Sequence, residues 1–239
     1  TAENAPCMKT WNEFKGDRFH VLGNHDMDKV EKQVAQDFWE MEKRYYSFDR
    51  SGFRFIVLDR NHLRTEEGDV PYGTSNYYAH PEQRAYADRE QLEWLRAELA
   101  ATKRPVVVLV HQGLGMEDGL ALSDPRAEIE SILKTGKRVD APGVIACFCG
   151  HEHLDRHRQK DGIHYVWINS ASYYWVGRKF GRMAPYSDAL FAFATFDPAG
   201  EIRVEGRQST FVAPTPEESG FPRSGEISAS ISDRVLRSL

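Results

Sequence analysis

The run VLGNHD at residues 21–26 sets an amide, an imidazole and a carboxylate side by side, directly after a glycine. Each of these side chains can bind a metal ion or hold a proton. Two more runs have the same shape. VVVLV leads into His111, and VIACFCG leads into His151 and His153. Imidazole nitrogen and amide oxygen suit borderline divalent ions such as Zn, Mn, Fe, Co or Ni. Functional side chains collect at the carboxyl ends of strands in open α/β sheets. Three such ends side by side would gather Asn24, His25, His111, His151 and His153 into one cluster. Glu152 would point away from it, because alternate residues of an extended backbone face opposite sides. Gly23 and Gly150 would permit sharp turns and close backbone approach. Asp26 could orient His25 or serve the start of the following helix. His20, His62, His80, His157 and His164 have no neighbours that suggest a shared task.

The elements that must position this cluster are legible as periodicities. Residues 18–22 read as a short strand. Val30, Val34 and Phe38 recur every four positions, which predicts a helix over 28–40. YYSFDRSGFRFIVLD predicts a hairpin with strands near 44–48 and 53–59. Residues 60–80 read as a long polar loop whose Tyr72, Tyr77 and Tyr78 could cover the site. Leu92, Leu95 and Leu99 stripe a helix over 88–101, with Asp88 and Gln91 placed as a capping box. RPVVVLVH is continuously apolar, as a strand buried on both faces would be. A further helix starts at Pro125 and runs to about Lys134. Hairpins should turn at Asp161–Gly162 and between Asp197 and Gly200. This order predicts an α/β layered sandwich of two mixed β-sheets flanked by helices, spanning 1–212, with 213–239 as a loosely packed polar tail.

With 239 residues, 41% of them hydrophobic, the chain can bury one sizeable core. The net charge of −5 and the lack of any Lys/Arg run longer than two argue against a nucleic-acid-binding surface. No apolar stretch reaches membrane-spanning length and no signal peptide is visible, so the chain reads as soluble, with its compartment open. Three cysteines, Cys7, Cys147 and Cys149, form neither a disulfide framework nor a zinc knuckle. Cys147 and Cys149 read as small buried residues.

GNHD at 23–26, the lone histidine of LVHQ, and GHEH at 150–153, in that order, resemble the calcineurin-like metallophosphoesterases. The resemblance covers about residues 18–210. It implies a two-metal site that hydrolyses phosphate mono- or diesters with metal-activated water. It implies Asn24, His111 and His151 as ligands of one ion, His153 as a ligand of the second, and His25 as charge stabiliser or general acid. Asn61, Asn169, Ser170, Tyr173 and Tyr174 are further candidates to line the substrate pocket.

The family pattern also begins with an Asp-x-His and a Gly-Asp motif, and neither precedes GNHD here. Asp17 of KGDRFH lies too close to Gly23 to serve. The chain therefore reads as lacking an N-terminal strand-helix-strand, with one metal site better retained than the other. Missing strands would leave apolar edges uncovered, so a homo-oligomer is expected. Two alternatives stay open: a non-catalytic metal-binding or interaction remnant of the fold, and a mononuclear metal esterase.

Overall fold

The computed structural model describes residues 5–237 except Leu122 and Ala199, without the side chains of residues 5–7. The main sheet contains β1 (Tyr46–Arg50), β2 (Phe53–Leu58), β5 (Val106–Val110), β6 (Val144–Cys149), β7 (Arg156–Lys160) and β8 (Ile163–Trp167), in the order β1-β2-β5-β6-β8-β7. Its four inner strands are parallel, and the antiparallel strands β1 and β7 close its edges. A second, antiparallel sheet is built from β11 (Ala192–Phe196), β12 (Glu201–Gly206) and β13 (Arg234–Arg237). Two hairpins, β3 (His62–Thr65) with β4 (Gly68–Pro71) and β9 (Tyr173–Gly177) with β10 (Arg182–Pro185), complete the strands.

Alternation along β5 shows how the layers form. Val106, Val108 and Val110 face the helices α3 (Arg89–Ala101) and α4 (Ala127–Thr135), meeting Leu92, Leu95, Leu99, Ile129, Ile132 and Leu133. Val107 faces the other way, toward Ile202, Val204 and Leu236 of the second sheet. A strand covered on both faces needs apolar residues at every position, which is why VVVLV shows no polar alternation. The result is the expected layered sandwich. Cys147 and Cys149 are buried in it as free thiols, whereas the Cys7 side chain lies outside the described residues.

Several local expectations change. Residues 18–22 join no sheet, although Leu22 is buried. The predicted helix over 28–40 shortens to α2 (Lys32–Phe38), and its buried face carries Lys32, Ala35 and Gln36, while Val34 is exposed. An apolar period of four misreads this helix because Lys32 is drawn inward by a buried carboxylate. Residues 60–80 hold β3, β4 and a turn of 3-10 helix rather than an unstructured loop. At α3, Asp88 does cap the Gln91 N–H, but the Gln91 amide reaches sideways to both backbone groups of Asp59. Residues 213–237 are no loose tail either. β13 pairs with β12, and Leu236 is buried between the sheets. Among the described residues before Gly23 the one α-helix is α1 (Ala5–Glu13), and there is no strand.

Beneath α2 lies a buried charge network. Lys32 Nζ sits 2.7 Å from Asp59 Oδ2 and 2.6 Å from the Asn61 carbonyl, and Arg44 stands 3.4 Å from the same carboxylate. Burial opposes the charge on Asp59, yet Lys32, His62 and Arg44 outweigh it and hold the carboxyl below the usual range. Removing one partner of such a pair strands the other charge in a dry interior. Lys32→Met is expected to cost about 3 kcal/mol, the low end of the usual 3–5, since Arg44 remains. Urea unfolding of the two chains checks this.

His62, in the same network, is lowered to about 4 by burial first and then by the neighbouring Lys32. Its folded-state value lies below the unfolded one of about 6.5. Between those values the unfolded chain binds a proton that the folded chain refuses, so stability falls as pH drops from about 6.5 toward 4. Thermal melts of the metal-free protein should move down between pH 7 and pH 5, and His62→Gln should flatten part of that slope.

Candidate functional site

β5 and β6 are parallel neighbours, so their carboxyl ends emerge side by side. The ladder continues one step further, with the Gly150 N–H donating to the His111 carbonyl at 2.9 Å. His151 and His153 then both adopt left-handed backbone, at φ 65 and 53°. Such conformations cost a non-glycine residue about 1–3 kcal/mol and cluster at functional sites. They turn the His151 imidazole toward the end of β5. Glu152 points away, as expected, and its Oε1 accepts from the Gly113 N–H at 3.1 Å.

Asn24 arrives from a third direction, at the start of a short 3-10 turn (Asn24–Met27). Its Oδ1 lies 2.9 Å from His111 Nε2 and 3.0 Å from His151 Nδ1, and these two nitrogens are 3.2 Å apart. Three donor atoms from three loops thus face one point. Around an ion with bonds of about 2.1 Å, neighbouring donors at right angles would stand about 3 Å apart. Both imidazoles are kept neutral, the form that a metal ion would need. Burial, then the neighbouring histidines, lowers His111 to about 3, and the same causes lower His151 to about 4. The Asn24 Nδ2 donates to Tyr77 Oη at 3.3 Å, which aims its oxygen at the histidines. Gly23 lets the chain come close here, since a Cβ would stand 3.1 Å from the His111 ring and press it aside by a few tenths of an ångström. A Cβ at Gly150 would meet nothing closer than 3.5 Å, so that glycine is not imposed by the site.

His25 lies beside the cluster with an exposed side chain. Its Nδ1 is 2.8 Å from Asp28 Oδ2 and 3.4 Å from Tyr77 Oη. Tyr77 also donates to Asp28. Asp28 and Tyr77 therefore orient His25, and sequence reasoning missed Asp28. Asp26 is occupied elsewhere, accepting from the Gly23 N–H at 2.8 Å and the Trp39 indole N–H at 3.0 Å. His153 makes no hydrogen bond to the three converging donors, although its imidazole is near enough to help lower His151. Its ring meets Tyr173 edge-on at 5.5 Å and Tyr174 at 6.4 Å, and its Nδ1 is buried with no partner. Among the described residues, no group of three or more His, Cys, Asp or Glu side chains could hold a metal ion; the convergent set is two imidazoles and an amide.

The pocket-lining candidates divide. Tyr174 is half-buried beside His153, where a substrate group could reach it. Asn169 is not free to line a pocket. Its Nδ2 donates to the Ser228 and Ser230 carbonyls, and its Oδ1 accepts from Tyr186 and from the Ser170 N–H. Asn61 is fully buried behind the cluster, with its amide likewise spent on protein groups. Both placements have one cause: a polar residue at a strand end can be needed to join loops.

The family model for calcineurin-like phosphoesterases matches residues 4–155. No curated protein matches the chain. Among solved structures, a dimetal phosphatase of Danio rerio aligns with a TM-score of 0.58 at 14% identity, over 97% of this chain and 76% of that one. At that identity the likeness speaks for the fold. Because the family model matches well over half of its residues, the chain belongs to the calcineurin-like phosphoesterase family.

Proposed function

We propose that this chain hydrolyses phosphate mono- or diesters with a divalent metal held by Asn24, His111 and His151, and with His153 offering a donor to a second ion. The convergence of Asn24 Oδ1, His111 Nε2 and His151 Nδ1 within 3.2 Å of one another carries this reading. A bound divalent ion would supply charge neutralisation for the anionic ester and an acidified water. The chain's own residues do the rest. Neutral His111 and His151 offer lone pairs without first having to lose a proton. Tyr77 fixes the Asn24 amide so that its oxygen faces the cluster. Asp28 holds the Nδ1 side of His25, so a protonated ring donates from Nε2 toward a departing alkoxide.

One observation favours a second reading. The three convergent donors are all neutral, and His153 is not one of them, which suits a single ion acting on activated esters. Elemental analysis, with turnover of an aryl phosphate monoester, a phosphodiester and a carboxyl ester, separates the readings. Phosphoester turnover with added Mn, Co or Zn supports the first. Carboxyl-ester turnover alone supports the second. No turnover with any divalent ion, despite bound metal, points to a non-catalytic remnant.

Self-association belongs to the same proposal. An apolar groove of about 550 Å³ runs between the sheets, lined by Phe19, Phe48, Phe55, Phe148 and Phe196. The edge strand β11 flanks it and leaves Phe193 67% exposed. A second copy, paired along β11 about a two-fold axis, would cover this edge. Light scattering on a size-exclusion column is expected to give a dimer at micromolar concentration; a clean monomer would refute it. Among the described residues no helix is long and apolar enough to cross a membrane.

A further inference from the structure

We infer that Asn61 is a positioning residue that holds the Asn24 loop in register with the His111 loop; this rests on the metal-site reading above. His111 and His151 are placed by adjoining strands of one sheet. Asn24 is not, because the segment leading to it joins no sheet. Something else must set its position to within tenths of an ångström of the two imidazoles. Asn61 is the side chain that touches both sides of this gap. Its Nδ2 donates to the Leu22 carbonyl at 2.9 Å, two residues before Asn24. Its Oδ1 accepts from Gln112 Nε2 at 2.6 Å, one residue after His111.

Asn61 is itself immobilised. Its backbone N–H and its Nδ2 both donate to Asp59 Oδ1, at 3.0 and 2.8 Å. Its carbonyl accepts from Lys32 Nζ and from the Tyr72 N–H. Asp59 is tied in turn to Lys32 and to Gln91 on α3. The buried charge network under α2 thus acts as the anchor, and Asn61 is the arm that reaches the site. Only an amide meets these demands. It must donate to a carbonyl and a carboxylate on one side and accept from an amide on the other. An aspartate of the same shape would set an oxygen against the Leu22 carbonyl and the Asp59 carboxylate.

Groups that orient metal ligands typically affect metal affinity by about 10–100-fold. The test is cobalt titration of the full chain, followed by the visible absorption of bound Co2+ and by calorimetry. The chains compared are wild type, Asn61→Asp, Asn61→Ala, Gln112→Leu and Leu236→Ala. Leu236 is buried between the sheets and serves as a control for general destabilisation. Gln112→Leu breaks the same bridge and also removes a buried acceptor that has no partner, so it should fold if the Asn61 variants do not. The expected result is cobalt affinity lower by about 10–100-fold in the Asn61 and Gln112 variants, with an altered cobalt spectrum. Leu236→Ala should melt earlier yet bind cobalt as wild type does. Unchanged affinity in the Asn61 and Gln112 variants, or an equal loss in Leu236→Ala, overturns the positioning role while leaving the metal site standing. Wild-type chain that binds no cobalt overturns the metal reading itself, and the positioning role with it.

Discussion

His25→Ala is expected to lower phosphoester turnover by about 10²–10⁴-fold while leaving bound metal unchanged. The imidazole sits beside the three convergent donors and is not one of them, so its loss takes no ligand away. Its Nδ1 is held by Asp28 and Tyr77, which points the ring's other nitrogen outward as the group available to an incoming ester. Its side chain is 64% exposed, so truncation opens no buried cavity and should leave the melting temperature almost unmoved. Metal content by elemental analysis and turnover of an aryl phosphate, measured on the same preparation, read the two effects separately. The contrast between substrates adds a check. An ester with an acidic leaving group needs little protonation, so His25→Ala should hurt it less than an alkyl phosphate. Equal losses on both would leave charge stabilisation as the role of His25. Loss of metal in parallel with turnover would show that His25 has been wrongly placed outside the ligand set.

The parts of this molecule that could be read from its residues are those where one physical demand dominates. VVVLV and VIACFC are uniformly apolar because their strands are covered twice, so the inner sheet and its order of helices were legible. The Asp161–Gly162 turn was legible too, since both residues take positive φ and such pairs favour tight hairpins. What escaped notice depends on contacts made at long range. Lys32 reads as a surface cation until Asp59, 27 residues later, is seen to bury it. Asn61 and Asn169 look like pocket residues because nothing local shows that Leu22, Gln112 and the Ser228–Ser230 segment consume their amides. The residues of the cluster were visible from type and position, whereas Asp28, which aims His25, was hidden in an ordinary helix start, and Tyr77 was visible only as part of a loop that could cover the site, not as the hydroxyl that holds Asn24. Strand 18–22 was misread for a related reason: Leu22 is buried by side chains on α2 and in the 60–80 segment, not by sheet pairing.

His111→Ala and His151→Ala should abolish the stabilisation that metal gives the fold and cut turnover by at least about 100-fold. The argument rests on how few donors meet. With Asn24, His111 and His151 as the convergent donors, losing either imidazole leaves one nitrogen and one weakly basic amide oxygen. In the metal-free protein the same substitutions should cost only the packing and hydrogen bonds of the lost ring. His111 is neutral, lowered to about 3 chiefly by burial, and no buried charge depends on it. The melting temperature without metal is therefore a poor guide, and the shift on adding metal is the informative quantity. An ion present at 100 times its dissociation constant stabilises the native state by about 2.7 kcal/mol. Wild type and His25→Ala should both show that upward shift with Mn2+ or Co2+, while His111→Ala and His151→Ala should melt at the same temperature with and without it. His153→Ala should keep most of the shift, because its ring packs edge-on against Tyr173 and is not one of the three convergent donors. A full metal-induced shift in His111→Ala would mean that the ion binds elsewhere and that the convergence of these three loops serves another purpose.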